Sequence, residues 1–213
     1  MHIKLIWRCH KYFALTDRCR FLCFTGIPSA GRQTRSVTGP TEGAFLRSEV
    51  SERMDLTNYL TAIDGVFYRA IDPAYRHFAL SGSRAPGRYS DSHQPTLYLS
   101  SSPEGVEAAM QSHSSNRSHN LEIVRVSVTS DKIIDLRNAE ALCAAGIDLN
   151  DAIAPWQEIV CEGGVPRSWN VRNRLTSLGI KGLIDPSRKA PGLWHLVLFS
   201  WNHDTHSRVA LLE

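Results

Sequence analysis

The sequence predicts an α+β domain: a mixed, bent β-sheet with flanking helices. Three observations predict it. Short apolar runs of strand character alternate irregularly with segments that carry helix-capping signals. Several of the links are too short for βαβ crossovers, so a doubly wound parallel sheet does not fit. At 213 residues and 42% hydrophobic content, the chain has the size and composition of a soluble globular protein with one ordinary core.

The elements follow in order. Met54 is followed by Asp55-Leu56-Thr57-Asn58-Tyr59-Leu60, a helix start or an extended arm. Val66 to Ala70 reads as a short strand, preceded by Gly65 and ended by Asp72-Pro73. Ser81 to Ser92 is dense in Gly, Ser, Pro and Arg, a loop of a length that is usually functional or disordered. Thr96 to Ser100 is the next strand. Ser102-Pro103-Glu104 then opens a helix to about His113: the serine caps, the proline needs no donor, and the glutamate complements the exposed amides.

Leu121 to Val128 alternates apolar with polar residues, a half-buried strand, and Ile133 to Leu136 is a second short one. Ala139 to Ala145 is helical and stops at Gly146, a natural left-handed terminator. Ala154 to Cys161 and Ser168 to Leu178 are further helices. Ile180 to Ile184 and Trp194 to Ser200 complete the sheet.

Residues 1–53 do not share this pattern. They hold nine Lys and Arg against four acids, a charge of +5, while the remaining 160 residues carry 15 basic and 17 acidic groups, or −2. A domain of that balance lacks the basic stripe that nucleic acid requires. The first segment is rich in Gly, Ser, Thr and Arg after residue 24, and reads as a disordered extension or a mis-called start, with Met54 as the natural one. The expected organisation is an extension over 1–53 and a domain over 54–213.

Five cysteines without regular spacing make no disulfide framework, so a reducing cytoplasm is the expected compartment. Cys9, Cys19 and Cys23 match no zinc template, and the nine histidines show no metal-ligand spacing. No apolar run approaches the ~18 residues of a membrane span.

The chemistry-bearing side chains stand at strand ends and loops. Tyr68-Arg69, Gly87-Arg88-Tyr89, Tyr98-Leu99-Ser100 and Asp185-Pro186-Ser187 occur in that order. Arg69 can fork onto phosphate oxygens or form a structural ion pair. Gly82 to Gly87 has the glycine spacing of a P-loop but lacks its Lys and following hydroxyl, and leads to a strand, so that reading fails. Arg88 remains either a single phosphate contact or a solvated charge. Tyr98 is a core residue or an aromatic wall with a hydroxyl to offer. Ser187 lacks a nucleophile elbow, and bonds either a ligand or its own turn. Together they suit a substrate combining phosphates with a flat ring.

These segments, with Val66-Phe67-Tyr68-Arg69-Ala70, Thr96-Leu97-Tyr98-Leu99-Ser100, Ser102-Pro103-Glu104, Ile134-Asp135-Leu136 and Gly182-Leu183-Ile184-Asp185-Pro186-Ser187 before Leu196-Val197-Leu198-Phe199, resemble the RES domain from about Gly65 to Trp201. The resemblance implies a fold like that of ADP-ribosyltransferases. It also implies the toxin of a bacterial toxin–antitoxin pair, with an Xre-like antitoxin as partner and NAD consumed as substrate, with no separate cofactor. On that carry-over Tyr68, Arg69 and Arg88 bind substrate, Tyr98 flanks the nicotinamide or ribose, and Ser187 hydrogen-bonds the substrate. Arg69, Tyr98 and Ser187 form the catalytic set.

One departure stands out. The family's glutamate, on the helix after the Tyr98 strand, falls here on Ala109. Glu107 is two positions earlier, about 200° around the helix. Glu104 caps the helix start. Glu158 and Asp135 are the substitutes the sequence offers. The gap keeps a second reading open, a catalytically weak or inactive domain that binds a nucleotide or partner. A third, a nucleic-acid or ribosome-directed toxin, rests only on the basic first segment.

Overall fold

The computed structural model describes residues 55–83, 85–111, 120–203 and 206–213. All of them belong to one compact unit, Arg53–Glu213. The expectations for residues 1–53, and for Met54 as a start, lie outside the described residues.

The architecture is the mixed α+β sheet with flanking helices that the sequence predicts. A 3₁₀ turn over Thr57–Tyr59 leads into β1 (Leu60–Ile71), and a second over Pro73–Phe78 follows it. Then come β2 (Leu97–Ser100), α1 (Pro103–Gln111) and β3 (Glu122–Asp135). The helical stretch comprises α2 (Ala139–Ala145), α3 (Leu149–Ile153), α4 (Gln157–Cys161) and α5 (Arg167–Ser177). Strands β4 (Gly182–Pro186), β5 (Trp194–Leu198) and β6 (Ser207–Leu212) end the chain.

The sheet bends because β3 serves two neighbours along one edge. Residues 125–130 of β3 pair antiparallel with β6, and 133–135 pair parallel with β4, while β1 runs antiparallel along its other edge. Since β1 also pairs β2, β2 pairs β5 and β5 pairs β4, the strands β1-β2-β5-β4-β3 return on themselves. Among the described strands only the β3–β4 pairing is parallel, which the helical stretch between them makes possible.

Alternation along the strands divides the core in two. Leu97, Leu99, Leu196, Leu198, Ile184 and Ile133 face inward with Phe67 and Val126. Their neighbours Val197, Leu183 and Ile134 face the other way, with Leu142, Val171 and Leu175 of the covering helices. A run such as Leu196 to Phe199 is apolar at every position because both of its faces are covered.

Strand β1 starts at Leu60, six residues before the predicted Val66, and three further elements differ from the sequence reading. One long strand, β3, replaces two short ones; the polar 129–132 stretch continues it, with buried Ser130 bonded to Ser207 at 2.8 Å. The helix predicted over 154–161 begins only at Gln157, since Pro155 bars Ala154 from helical backbone, and an unanticipated α3 ends just before it. Strand β6 was not anticipated, although Ser207 and Val209 are buried between exposed Arg208 and Ala210. In contrast, Gly146 takes the expected left-handed C-cap at φ +66°, and Ser102 Oγ accepts from the Gly105 N–H at 3.2 Å.

Candidate functional site

A cleft of about 610 Å³ opens where the ends of β1, β2, β4 and β5 meet α1 and the 81–92 loop. That volume lies within the usual range for small-molecule sites. Tyr68, Arg69, Arg88, Tyr98 and Ser187 all line it. Residues separated by more than a hundred positions therefore share one wall.

The loop carrying Arg88 is tightly pinned. Gly87 and Ser90 close a turn through an amide-to-carbonyl bond of 2.8 Å. The Tyr98 hydroxyl reaches up from mid-strand, accepts from the Tyr89 N–H at 2.9 Å and pairs with Ser90 Oγ at 3.2 Å. Trp169 Nε1 donates to the Gly87 carbonyl at 2.8 Å, and Ser168 Oγ to that of Arg88. Tyr89 itself is fully buried among the helices. A Cβ on Gly87 would lie 2.9 Å from both Tyr98 Oη and Ser90 Oγ, so only glycine allows this approach. The Tyr98 hydroxyl is thus spent on the loop. Its ring borders the cleft, and burial pushes its ionisation upward, keeping the phenol neutral.

The arginines are likewise fixed by backbone oxygens. Arg69 Nη1 donates to the Ala79 carbonyl at 2.7 Å. Arg88 Nη1 donates to Ala154 at 2.8 Å and Ala152 at 3.2 Å, the carbonyls freed where α3 ends before Pro155. Burial pulls the Arg88 ionisation down from its ordinary value, which still leaves the guanidinium charged. Ser187 Oγ accepts from the Ala190 N–H at 3.2 Å, its own turn, at the edge of the cleft.

Two further groups were not singled out from sequence. Asp185 is 5% exposed and lines the cleft at the end of β4. Arg188 Nη2 holds its carboxylate at 2.9 Å from Oδ1. Burial pushes the Asp185 carboxyl up, against the pull of Arg188 and Arg88. His195 faces Asp185 across the β4–β5 pairing, and its Nδ1 lies 3.0 Å from Ser100 Oγ. Burial draws the imidazole below its ordinary value, with Asp185 opposing, so it is neutral near pH 7. The signal for Asp185 was its place in the Asp-Pro-Ser turn; nothing in the spacing announced its pairing with His195.

The two substitute acids proposed from sequence do not lie here. Asp135 is bound by Arg137 at 2.6 Å, away from the cleft, and that guanidinium stacks over Trp194. Glu158 is exposed on α4. From α1 the cleft receives Val106, Ala109 and Met110, while Glu107 points to solvent. Arg69, Arg88, Arg188 and Lys189 against Asp185 make the lining strongly cationic. Such a site favours an anionic ligand whose flat portion can lie on Tyr98 or Trp156.

The model of the RES domain matches residues 66–211, most of the chain and all of the sheet beyond the start of β1. The chain belongs to the RES domain family. The match reaches β6, beyond the stretch legible from motifs. A chain in the crystal structure of the M. tuberculosis MbcT–MbcA toxin–antitoxin complex is similar at a TM-score of 0.48 and 16% identity, covering 75% of this chain and 90% of that one. No curated protein matches the sequence. Among the described residues no helix is long and apolar enough to cross a membrane.

Proposed function

We propose that this chain is the toxin of a toxin–antitoxin pair and consumes NAD by cleaving the bond between nicotinamide and ribose, passing the sugar to water, phosphate or a protein group. One observation carries the reading: Arg69, Arg88, Tyr98 and Ser187, the residues the family resemblance nominated, line a single cationic cleft. Membership of the RES family supports it.

The chemistry suits the lining. Breaking this bond builds oxocarbenium character at the sugar, and nicotinamide departs as a neutral base. The guanidinium groups of Arg69 and Arg88 would hold the pyrophosphate, the Tyr98 ring would set the plane of the nicotinamide or ribose, and Ser187 would bond the substrate at the β4 turn. An Xre-like antitoxin is the expected partner. The ADP-ribosyltransferase-like fold belongs to the same reading.

The test is release of free nicotinamide from NAD by the purified protein. Arg69→Ala should lower release by about 100-fold or more and abolish growth inhibition, with the far-UV spectrum unchanged. A toxic Arg69→Ala variant would assign Arg69 the wrong role. A second reading, a domain that binds a nucleotide without turnover, is favoured by the apolar Ala109 and Met110 surface that α1 presents. NAD binding without nicotinamide release would select it.

A further inference from the structure

Cleavage of an N-glycosidic bond creates positive charge at the sugar carbon, and a fixed negative group beside it is worth several orders of magnitude in rate. The described lining of the cleft holds one carboxylate, that of Asp185. Helix α1 offers none, and Asp135 and Glu158 lie elsewhere. We propose that Asp185 is the catalytic carboxylate of this site, held in place by Arg188. The inference rests on the NAD-cleaving reading above and names the acid that reading needs.

Three observations carry it. Asp185 closes a strand of the core sheet, so its backbone is fixed by pairing with β5. Arg188, itself partly exposed, grips both carboxylate oxygens, at 2.9 and 3.3 Å. The groups around it are Arg88 and Tyr89 from the loop, Tyr98 from β2, Arg188 from its own turn and His195 from β5, so its charge is set within the cleft. In the reaction the C1′–N bond breaks and its electron pair leaves with nicotinamide. Water adds to C1′, and the proton it loses passes to the Asp185 carboxylate and from there to solvent. Burial holds that carboxyl above the ordinary carboxylate range, and Arg188 and Arg88 oppose it, favouring the ionised form the step uses.

The experiment measures nicotinamide release and NAD binding in the full chain. Asp185→Asn should lose about 100-fold or more in release while binding changes only a few-fold. Adding Ala109→Glu, which places a carboxylate on the cleft wall from α1, should recover part of that loss. Arg188→Gln should move the acidic limb of the pH–rate profile to higher pH, because the charge favouring ionised Asp185 is gone. That shift decides the matter even if Asp185→Asn fails to fold. Asp185→Asn at the wild-type rate overturns the inference and leaves the NAD reading intact. So does an acidic limb that follows His195→Asn and ignores Arg188→Gln. A wild-type protein that binds NAD and releases no nicotinamide removes both, and it does so before any variant is made.

Discussion

Tyr98 shows how one side chain joins the core to the site. Its ring lines the cleft while its hydroxyl satisfies the Tyr89 amide, one of several bonds that pin the loop carrying Arg88. Tyr98→Phe keeps the ring and leaves that amide unpaired, a cost of about 1–3 kcal/mol. The expected result is a lower urea midpoint and weaker NAD binding, because Arg88 loses its fixed platform. An unchanged midpoint would mean the turn holds itself. His195 gives a pH signature. Its folded ionisation lies below the ordinary value of 6.5, so the stability it contributes is present above that value and is lost as pH falls through the folded one. Urea midpoints should fall as pH drops below the ordinary value of 6.5. His195→Asn should flatten that decline, and a decline of the same depth in the variant would place the titrating group elsewhere.

At the scale of elements, β4 is the tightest piece of the sheet. Gly182 pairs with both Ile133 and Leu198, and a Cβ there would strike the Val197 carbonyl oxygen and press on Ile133 Cδ1 and Leu198 Cδ2 at 3.0 Å. The backbone on one side cannot yield, so Gly182→Ala should destabilise the domain by about 1–3 kcal/mol. Thermal melting reads this directly; a melting point equal to wild type would show that the strand can shift. Displacing β4 would also move Asp185 and Ser187 at its end, so nicotinamide release should fall with stability. The short α3 matters for a different reason. Its five residues bring little packing, but Pro155 stops it where the Ala152 and Ala154 carbonyls receive Arg88. A helix break here positions a cation of the cleft wall.

For the whole domain, closure depends on β3, which holds β1 on one edge and β6 and β4 on the other. Strand β6 covers residues 125–130 of β3 and buries Ser207 and Val209. Deleting residues 207–213 should bare that run of backbone donors and acceptors, an invitation to edge-to-edge pairing. Size-exclusion chromatography should then show aggregates where the intact chain gives a discrete species. A truncated protein eluting like the parent would make β6 dispensable. The cationic lining has a molecule-wide consequence too: NAD affinity should weaken as salt rises, since the attraction of Arg69, Arg88, Arg188 and Lys189 is screened.

Local rules were enough for much of this. Apolar alternation marked Leu121 to Val128 as strand, Ser102 and Gly146 marked helix ends, and the Tyr-Arg, Gly-Arg-Tyr and Asp-Pro-Ser segments pointed to residues that line the cleft. Each of those signals acts within a few residues, where capping bonds and side-chain periodicity operate. The rest needed distant partners. Ser130 could remain in strand only because Ser207 answers its hydroxyl, and β6 has a role only beside β3. The duty of the Tyr98 hydroxyl, and the meeting of Asp185 with Arg188 and His195, depend on strand order and burial. Sequence by itself determined which chemical groups this protein brings to its site. Tertiary structure alone decided which of them share a wall and which carboxylate stands among them, because pairing across the sheet and loss of water act between residues far apart in the chain.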